Sequence, residues 1–349
     1  MDVGQKRTVA RFSFVGSAGE YFGIWIVNIL LTILTLGIYS AWAKVRRMRY
    51  FYGNTFLDRH SFEYHARPLQ ILVGRIVAFV LIVCYNILVN LNPIAGGIAF
   101  LGLVLAFPFL IYRGIRFHAR VTSYRNVRFD FAGGYGGAFL AYVAGPFLAM
   151  VTLGILAPLA SRWRYRYLFN NLRYGGRRFA CGATIGEFFG VWWFPAMITI
   201  GMFVVLGPAV ALLTGFSPFV PGFGQYAIIA VIYAVVLIGL VAYSVSGLFY
   251  VAGVRNVAFS ATRFDGRHRL DSDLFRRRYA WIAISNLLVT VVTFGLARPW
   301  AAVRMARYTW ASTALAIRGE FGTYISELKD ESGVVGAEFM DFEGFDIGF

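Results

Sequence analysis

The sequence predicts an all-α polytopic membrane protein with small cytoplasmic β-hairpins. Three observations predict it. Residues 21–43, 76–112, 131–161, 188–254 and 279–297 contain no Asp, Glu, Lys or Arg, and a bilayer core about 30 Å thick takes roughly 20 apolar residues per helix. Only 14% of the 349 residues are charged and 58% are hydrophobic, whereas soluble domains carry about 25% charged residues. Of the 33 basic residues, 31 fall in six patches that flank the apolar runs. The mean hydropathy is +0.63. This composition excludes a disordered chain, a soluble globular enzyme and a disulfide scaffold.

The organising feature is an internal repeat. At an offset of 117 residues, Phe12, Phe14, Gly16, Gly19, Thr35, Leu36, Gly37 and Ile38 meet identical residues. At an offset of 258, Asn28, Thr32, Thr35 and Gly37 meet Asn286, Thr290, Thr293 and Gly295, and the match runs on through Trp42/Trp300, Arg46/Arg304, Arg49/Arg307 and Thr55/Thr313. Repeat units therefore span 1–68, 113–182 and 252–326. Each reads as a short Phe-alternating segment, an apolar helix ending at Thr-Leu-Gly or Thr-Phe-Gly, a basic-aromatic helix and a strand-turn-strand pattern. Helix pairs follow the first two units, at 69–112, turning at Asn92-Pro93, and at 183–251, with an uncharged loop at 214–225. Residues 327–349 form a tail with seven acids, one lysine and four phenylalanines.

The N-terminus is polar to about Glu20, and the first apolar stretch ends without a small-residue cleavage site. The first helix is therefore expected to stay in the mature protein. If all seven apolar helices crossed, the basic patches would split 16 to 15 between the two faces, with no bias of the kind that orients membrane proteins. If the three repeat helices instead bend at Gly37, Gly154 and Gly295 and return, all 31 residues fall on one side. Four crossings plus three re-entrant or bent helices are therefore expected, with both termini cytoplasmic; seven crossings are the alternative.

The stretch from Trp25 to Tyr64, WIVNILLTILTLGIYSAWAKVRRMRYFYGNTFLDRHSFEY, resembles the YjgN-type family of bacterial inner-membrane proteins. The resemblance covers residues from about 10 to 325. It implies a multi-pass inner-membrane protein and no reaction, and it leads one to expect Gly where this chain has Arg59.

Two constellations could carry function. Asn28, Thr32 and Thr35 share one helical face, repeated by Asn286, Thr290 and Thr293; such a polar stripe bonds neighbouring helices or lines a solute path. Arg46, Arg49, Arg164, Arg166, Arg304 and Arg307 interleave with aromatic residues. Guanidinium forks suit phosphates and aromatic rings suit the headgroup layer, so anionic membrane lipids are the expected partner. Nucleic acid is not expected, because the patches flank membrane helices. Glu20 and Glu187 begin apolar helices, where the helix dipole favours them. Cys84 and Cys181 read as unpaired thiols. His60, His65, His118 and His268 are scattered, and no catalytic, metal or nucleotide motif occurs; no enzyme activity and no cofactor are expected. The remaining expectations are transport of a solute or lipid through the repeat interface or, alternatively, a non-transporting module that binds anionic lipid or assembles envelope partners. The acidic tail could dock on the protein's own basic face or recruit a partner.

Overall fold

The computed structural model describes residues 7–319 except 217–224, together with 322, 324 and 326. The tail 327–349 and most of the expected loop 214–225 lie outside the described residues.

Four hairpins form where the sequence alternates apolar and polar residues around two- or three-residue turns. They are β3 (Thr55–Leu57) with β4 (His60–Tyr64), β5 (Thr122–Tyr124) with β6 (Val127–Phe131), β7 (Leu172–Tyr174) with β8 (Arg177–Cys181), and β9 (Thr262–Phe264) with β10 (His268–Ser272). The two-residue turns place both residues at positive φ: Asp58 and Arg59 at 47° and 63°, Arg125 and Asn126 at 49° and 65°, Gly175 and Gly176 at 53° and 79°. That is the primed turn that matches strand twist. Arg59 thus occupies a left-handed position that glycine would take without cost.

The hairpins do not stand alone. In each, the longer strand pairs by its first residues with its own partner and by its later ones with the next hairpin: Ser61 faces Phe56, while Tyr64 faces Thr122. The same hand-over recurs at β6, β8 and β10. At the ends of the series, β1 (Arg7–Arg11) pairs with β11 (Thr313–Arg318), and β2 (Ser13–Phe14) pairs with β3. Only Phe12 separates β1 from β2, and its N–H donates to Thr313 O at 3.0 Å. One stretch of chain therefore joins both ends of an 11-stranded antiparallel sheet and closes it into a barrel.

This overturns the all-α expectation with small separate hairpins. An isolated two-stranded hairpin is marginal in water, and these strands gain their remaining ladder bonds only across units. Those bonds link residues from about 40 to about 85 positions apart, such as Phe131 with Leu172 and Phe179 with Phe264, so no local pattern announces them.

One cluster fills the barrel: Phe12, Leu57, Tyr124, Tyr174, Phe264, Leu270 and Leu315 are buried in it, and Phe62, Phe129 and Phe179 pack against them. Tyr124 Oη donates to Leu57 O at 2.6 Å and Tyr174 Oη to Tyr124 O at 2.9 Å, so the buried phenols are satisfied by neighbouring strands. The interior is a packed core of the kind small barrels have.

Between successive hairpins the chain makes five helical excursions. Three are short: α1 (Ala18–Leu34) with α2 (Ser40–Gly53); α5 (Tyr135–Phe139), a π turn and α6 (Gly145–Val151) with α7 (Ala157–Asn171); and α10 (Arg276–Val292) with α11 (Arg298–Ala311). Two are long: α3 (Pro68–Leu91) with α4 (Pro93–Arg120), and α8 (Ile185–Phe216) with α9 (Gln225–Ser260). Among the described residues four helices are long and apolar enough to cross a membrane, and all four belong to the long pairs. Asn92 caps α4 through Ile94 N and Ala95 N. Thr184 and Glu187 cap α8 reciprocally, which satisfies free N–H groups at the helix start.

Because the strands alternate in direction, every excursion leaves from one rim and returns to it. The turns and both described chain ends lie at the other rim. At the helical rim, Phe14, Tyr64 and Phe131 each anchor a separate cluster against the helices.

Candidate functional site

The short excursions turn at Thr35-Leu36-Gly37, Thr152-Leu153-Gly154 and Thr293-Phe294-Gly295. In each the glycine N–H reaches back five residues, to Thr32 O, Ala149 O or Thr290 O, at 2.7 Å. That six-to-one bond ends a helix with a left-handed residue. Here two successive residues are left-handed: φ is 50° at Leu36, Leu153 and Phe294, and 94°, 90° and 90° at the glycines. The non-glycine member is a large apolar residue that is 94%, 93% and 97% exposed respectively. A strained, fully exposed leucine or phenylalanine has no packing reason in water.

Two contacts fix how far these tips reach. Arg75, seven residues into α3, hydrogen-bonds Ser40 Oγ just beyond the first tip. Trp192, seven residues into α8, donates to Gly154 O at 2.9 Å in the second. Seven residues of helix rise about 10 Å, so both tips lie level with the first turns of the adjacent long helices.

The predicted polar stripe is used internally. Thr32 and Thr290 donate to Asn28 O and Asn286 O at 2.6 Å. Thr35 and Thr293 accept from Tyr39 N and Ala297 N, bridging helix to returning chain. Buried Asn28 and Asn286 receive a guanidinium from the paired helix: Arg46 at 3.5 Å and Arg304 at 3.0 Å.

The predicted arginines separate into different roles. Arg49 donates to Tyr64 O and Ala66 O, both at 3.4 Å, tying α2 to the β4–α3 link. Arg164 lies over the Tyr142 ring, and Arg166 is half-buried on α7. Arg304 and Arg307 are brought together in a cavity. It has a volume of about 710 Å³ and lies where α10 and α11 meet the start of α1. Arg11 and Arg278 join them there, with Asp273, Trp281 and Trp300.

The charge of this cavity follows from its contacts. Arg11 grips Asp273 Oδ2 with both terminal nitrogens at 3.2 Å. Arg304 is fixed by Ser285 Oγ at 2.7 Å and by Asn286, with its guanidinium 5.0 Å from the Trp300 ring centre. Arg307 donates to Gly16 O at 3.1 Å, joining α11 to the first unit. Arg278 is exposed and stacks on Tyr308 at 5.1 Å. Four guanidinium groups therefore face one carboxylate.

Sequence reasoning missed Arg11 and Arg278, yet a signal was present. Tyr50, Tyr167 and Tyr308 occupy matched positions, and each hydrogen-bonds the backbone before the unit's first helix, at Ser17 O, Gly134 O and Phe275 O. In the first unit Tyr50 also donates to Glu20 at 3.2 Å. At the offset of 258 that glutamate is replaced by Arg278, so the same tyrosine scaffold carries the opposite charge.

Comparison with known proteins agrees with a membrane setting. A family model described as bacterial protein of unknown function (DUF898) matches residues 9–342. The inner membrane protein YjgN of Salmonella typhimurium (strain LT2) is 35% identical over 149 residues, 42% of this chain and 38% of that protein. YjgN of Escherichia coli (strain K12) is 32% identical over 146 residues, 41% and 36% of the two chains. The matched stretch thus spans well under half the length of these relatives. No solved structure matches.

Proposed function

The chain belongs to the DUF898 family, whose relatives include named inner-membrane proteins, and from that premise we propose that it is a membrane module binding the headgroup of an anionic phospholipid. The observation that carries this reading is the cavity of four arginines and two tryptophans at the helical rim. Guanidinium forks match phosphate oxygens in pairs, and tryptophan favours the interfacial layer. The long pairs α3–α4 and α8–α9 cross the bilayer. The short excursions enter only its near boundary with Leu36, Leu153 and Phe294, in the manner of interfacial helices. The barrel, its arginines and both termini face the cytoplasm, as positive-inside bias requires. Binding is favoured over permeation because the Asn and Thr side chains of the polar stripe bond within their own units and the barrel interior is packed.

The test uses the full chain in nanodiscs containing brominated phosphatidylglycerol or brominated phosphatidylcholine. Bromine quenches tryptophan at close range. We expect stronger quenching by phosphatidylglycerol, reduced in Trp281→Phe/Trp300→Phe and in Arg278→Gln. Equal quenching by the two lipids overturns the proposal. Labelling of a cysteine placed at Asn126 from the periplasmic side overturns the orientation.

A further inference from the structure

The far rim of the barrel carries a second concentration of charge. The turns bring Arg59, Arg125 and Arg267 to this rim, and the adjoining strand ends add Arg177, Arg178 and Arg318. Two turn carboxylates lie among them, and both are engaged. Asp58 faces Arg125 at 3.9 Å, and Asp265 accepts from Tyr324 Oη at 2.9 Å. The phenol of Tyr324 caps the mouth: its ring lies 4.8 Å from His268 and 6.0 Å from Phe264 of the barrel core. Tyr324 therefore places the last described part of the chain beside the arginine collar.

That chain is the acidic segment 327–349. It contributes seven acids against one lysine and lowers a net charge of +22 over residues 1–326 to the +16 of the whole. We infer that it docks in cis on the collar, its carboxylates on the rim arginines. Length permits this. Twenty-three extended residues reach about 76 Å at ~3.3 Å each, and ten strand positions at ~4.8 Å give a rim of about 48 Å before strand tilt. The collar is then covered by the chain's own tail, which competes with any other polyanion for that surface. This inference concerns the rim opposite the lipid cavity and stands or falls independently of it.

The full chain is purified with a photoreactive benzoylphenylalanine in place of Phe342, irradiated, and its cross-links are mapped by mass spectrometry. Cross-links are expected within one chain to the turns around 175–178 and 265–267. Their yield should fall about fivefold or more between 0.1 M and 1 M salt, over which the Debye length shrinks from ~10 Å to ~3 Å. They should also be lost in Arg177→Glu/Arg178→Glu/Arg267→Glu. A tail variant, Glu338→Gln/Asp341→Asn/Glu343→Gln/Asp346→Asn, leaves the barrel untouched and must abolish them too. Cross-links that survive tail neutralisation, that join differently isotope-labelled copies, or that reach only lipid or co-purified nucleic acid overturn the proposal.

Discussion

Closure of the barrel rests on one stretch of chain that serves two neighbours, and paired cysteines test it directly. Val9 faces Ala316 across β1 and β11; Ser13 faces Phe56 across β2 and β3. Directly opposed residues place their Cβ atoms about 4.5–5.5 Å apart, within reach of a disulfide after small adjustment. In a Cys84→Ala background with Cys181 left buried, Val9→Cys/Ala316→Cys and Ser13→Cys/Phe56→Cys should each oxidise to one bridge. The first closes a loop of about 308 residues and the second one of about 44. The chain-entropy relation gives about 5.7 and about 4.0 kcal/mol respectively as upper values. Engineered bridges deliver less, so a gain of about 2–4 kcal/mol is expected for the first and a smaller gain for the second. Phe56 also loses side-chain packing, which lowers the second further. A non-reducing gel reads bridge formation, because the large loop migrates faster, and thermal aggregation in detergent reads the gain. Efficient oxidation of the Ser13/Phe56 pair without the Val9/Ala316 pair would refute closure, because the sheet would then end at β2 and β11.

Three further outcomes follow from single sites. A Cβ on Gly133 would sit 2.3 Å from Phe131 Cε1 and 2.7 Å from Tyr167 Oη, so Gly133→Ala should cost about 1–3 kcal/mol of overpacking; Gly136→Ala, with nothing within 4 Å, should leave the melting temperature unchanged or higher. Arg59→Gly removes a left-handed non-glycine residue at φ 63° and should stabilise by about 1 kcal/mol, read as a higher midpoint in the same detergent assay. Burial holds the His268 imidazole below its usual value of 6.5, so the unfolded chain takes up the proton first as pH falls. Stability should be complete above about pH 6.5 and decline below it, by at most ~1.4 kcal/mol per pH unit; melting curves at pH 7.5 and 5.5 should differ, and less so in His268→Leu.

The sequence made the helices legible and concealed how the strands assemble. Charge-free runs mark α3, α4, α8 and α9 because lipid demands a continuous apolar surface. The Phe12/Phe14 and Phe129/Phe131 alternations mark strands. Yet Phe62/Tyr64, Phe179/Cys181 and Leu270/Ser272 are the same element, and of these residues identity at the repeat offset links only Phe62 with Phe179. The helices between them differ in length and hydropathy, the long pairs being long and apolar enough to cross a membrane and the short ones not. Only the strands share a constraint across all five excursions. Four of the five returning helices mark it faintly, with Thr55, Thr122, Thr262 and Thr313 each donating to the carbonyl four residues back. In the cavity, Arg304 and Arg307 were legible because they recur at matched positions. Arg278 was not, because its significance lies in failing to match Glu20.

The sheet also decides the parity of the membrane topology. Each helical excursion begins and ends on strands that are hydrogen-bonded to their neighbours around one ring. A helix that crossed the bilayer alone would leave its two flanking strands on opposite faces, and the ladder between Tyr64 and Thr122, or between Cys181 and Thr262, could not form. Every excursion therefore contributes two crossings or none. Seven crossings are excluded on this ground, since an odd number requires at least one unpaired helix. Among the described residues the helices long enough to span are the four of the two long excursions, so under the proposed membrane placement each long pair returns to the side it left. The even split of basic charge that seven crossings would require and the closure of the barrel thus bear on one question: a closed ladder keeps every strand on one side of whatever bilayer the long pairs enter.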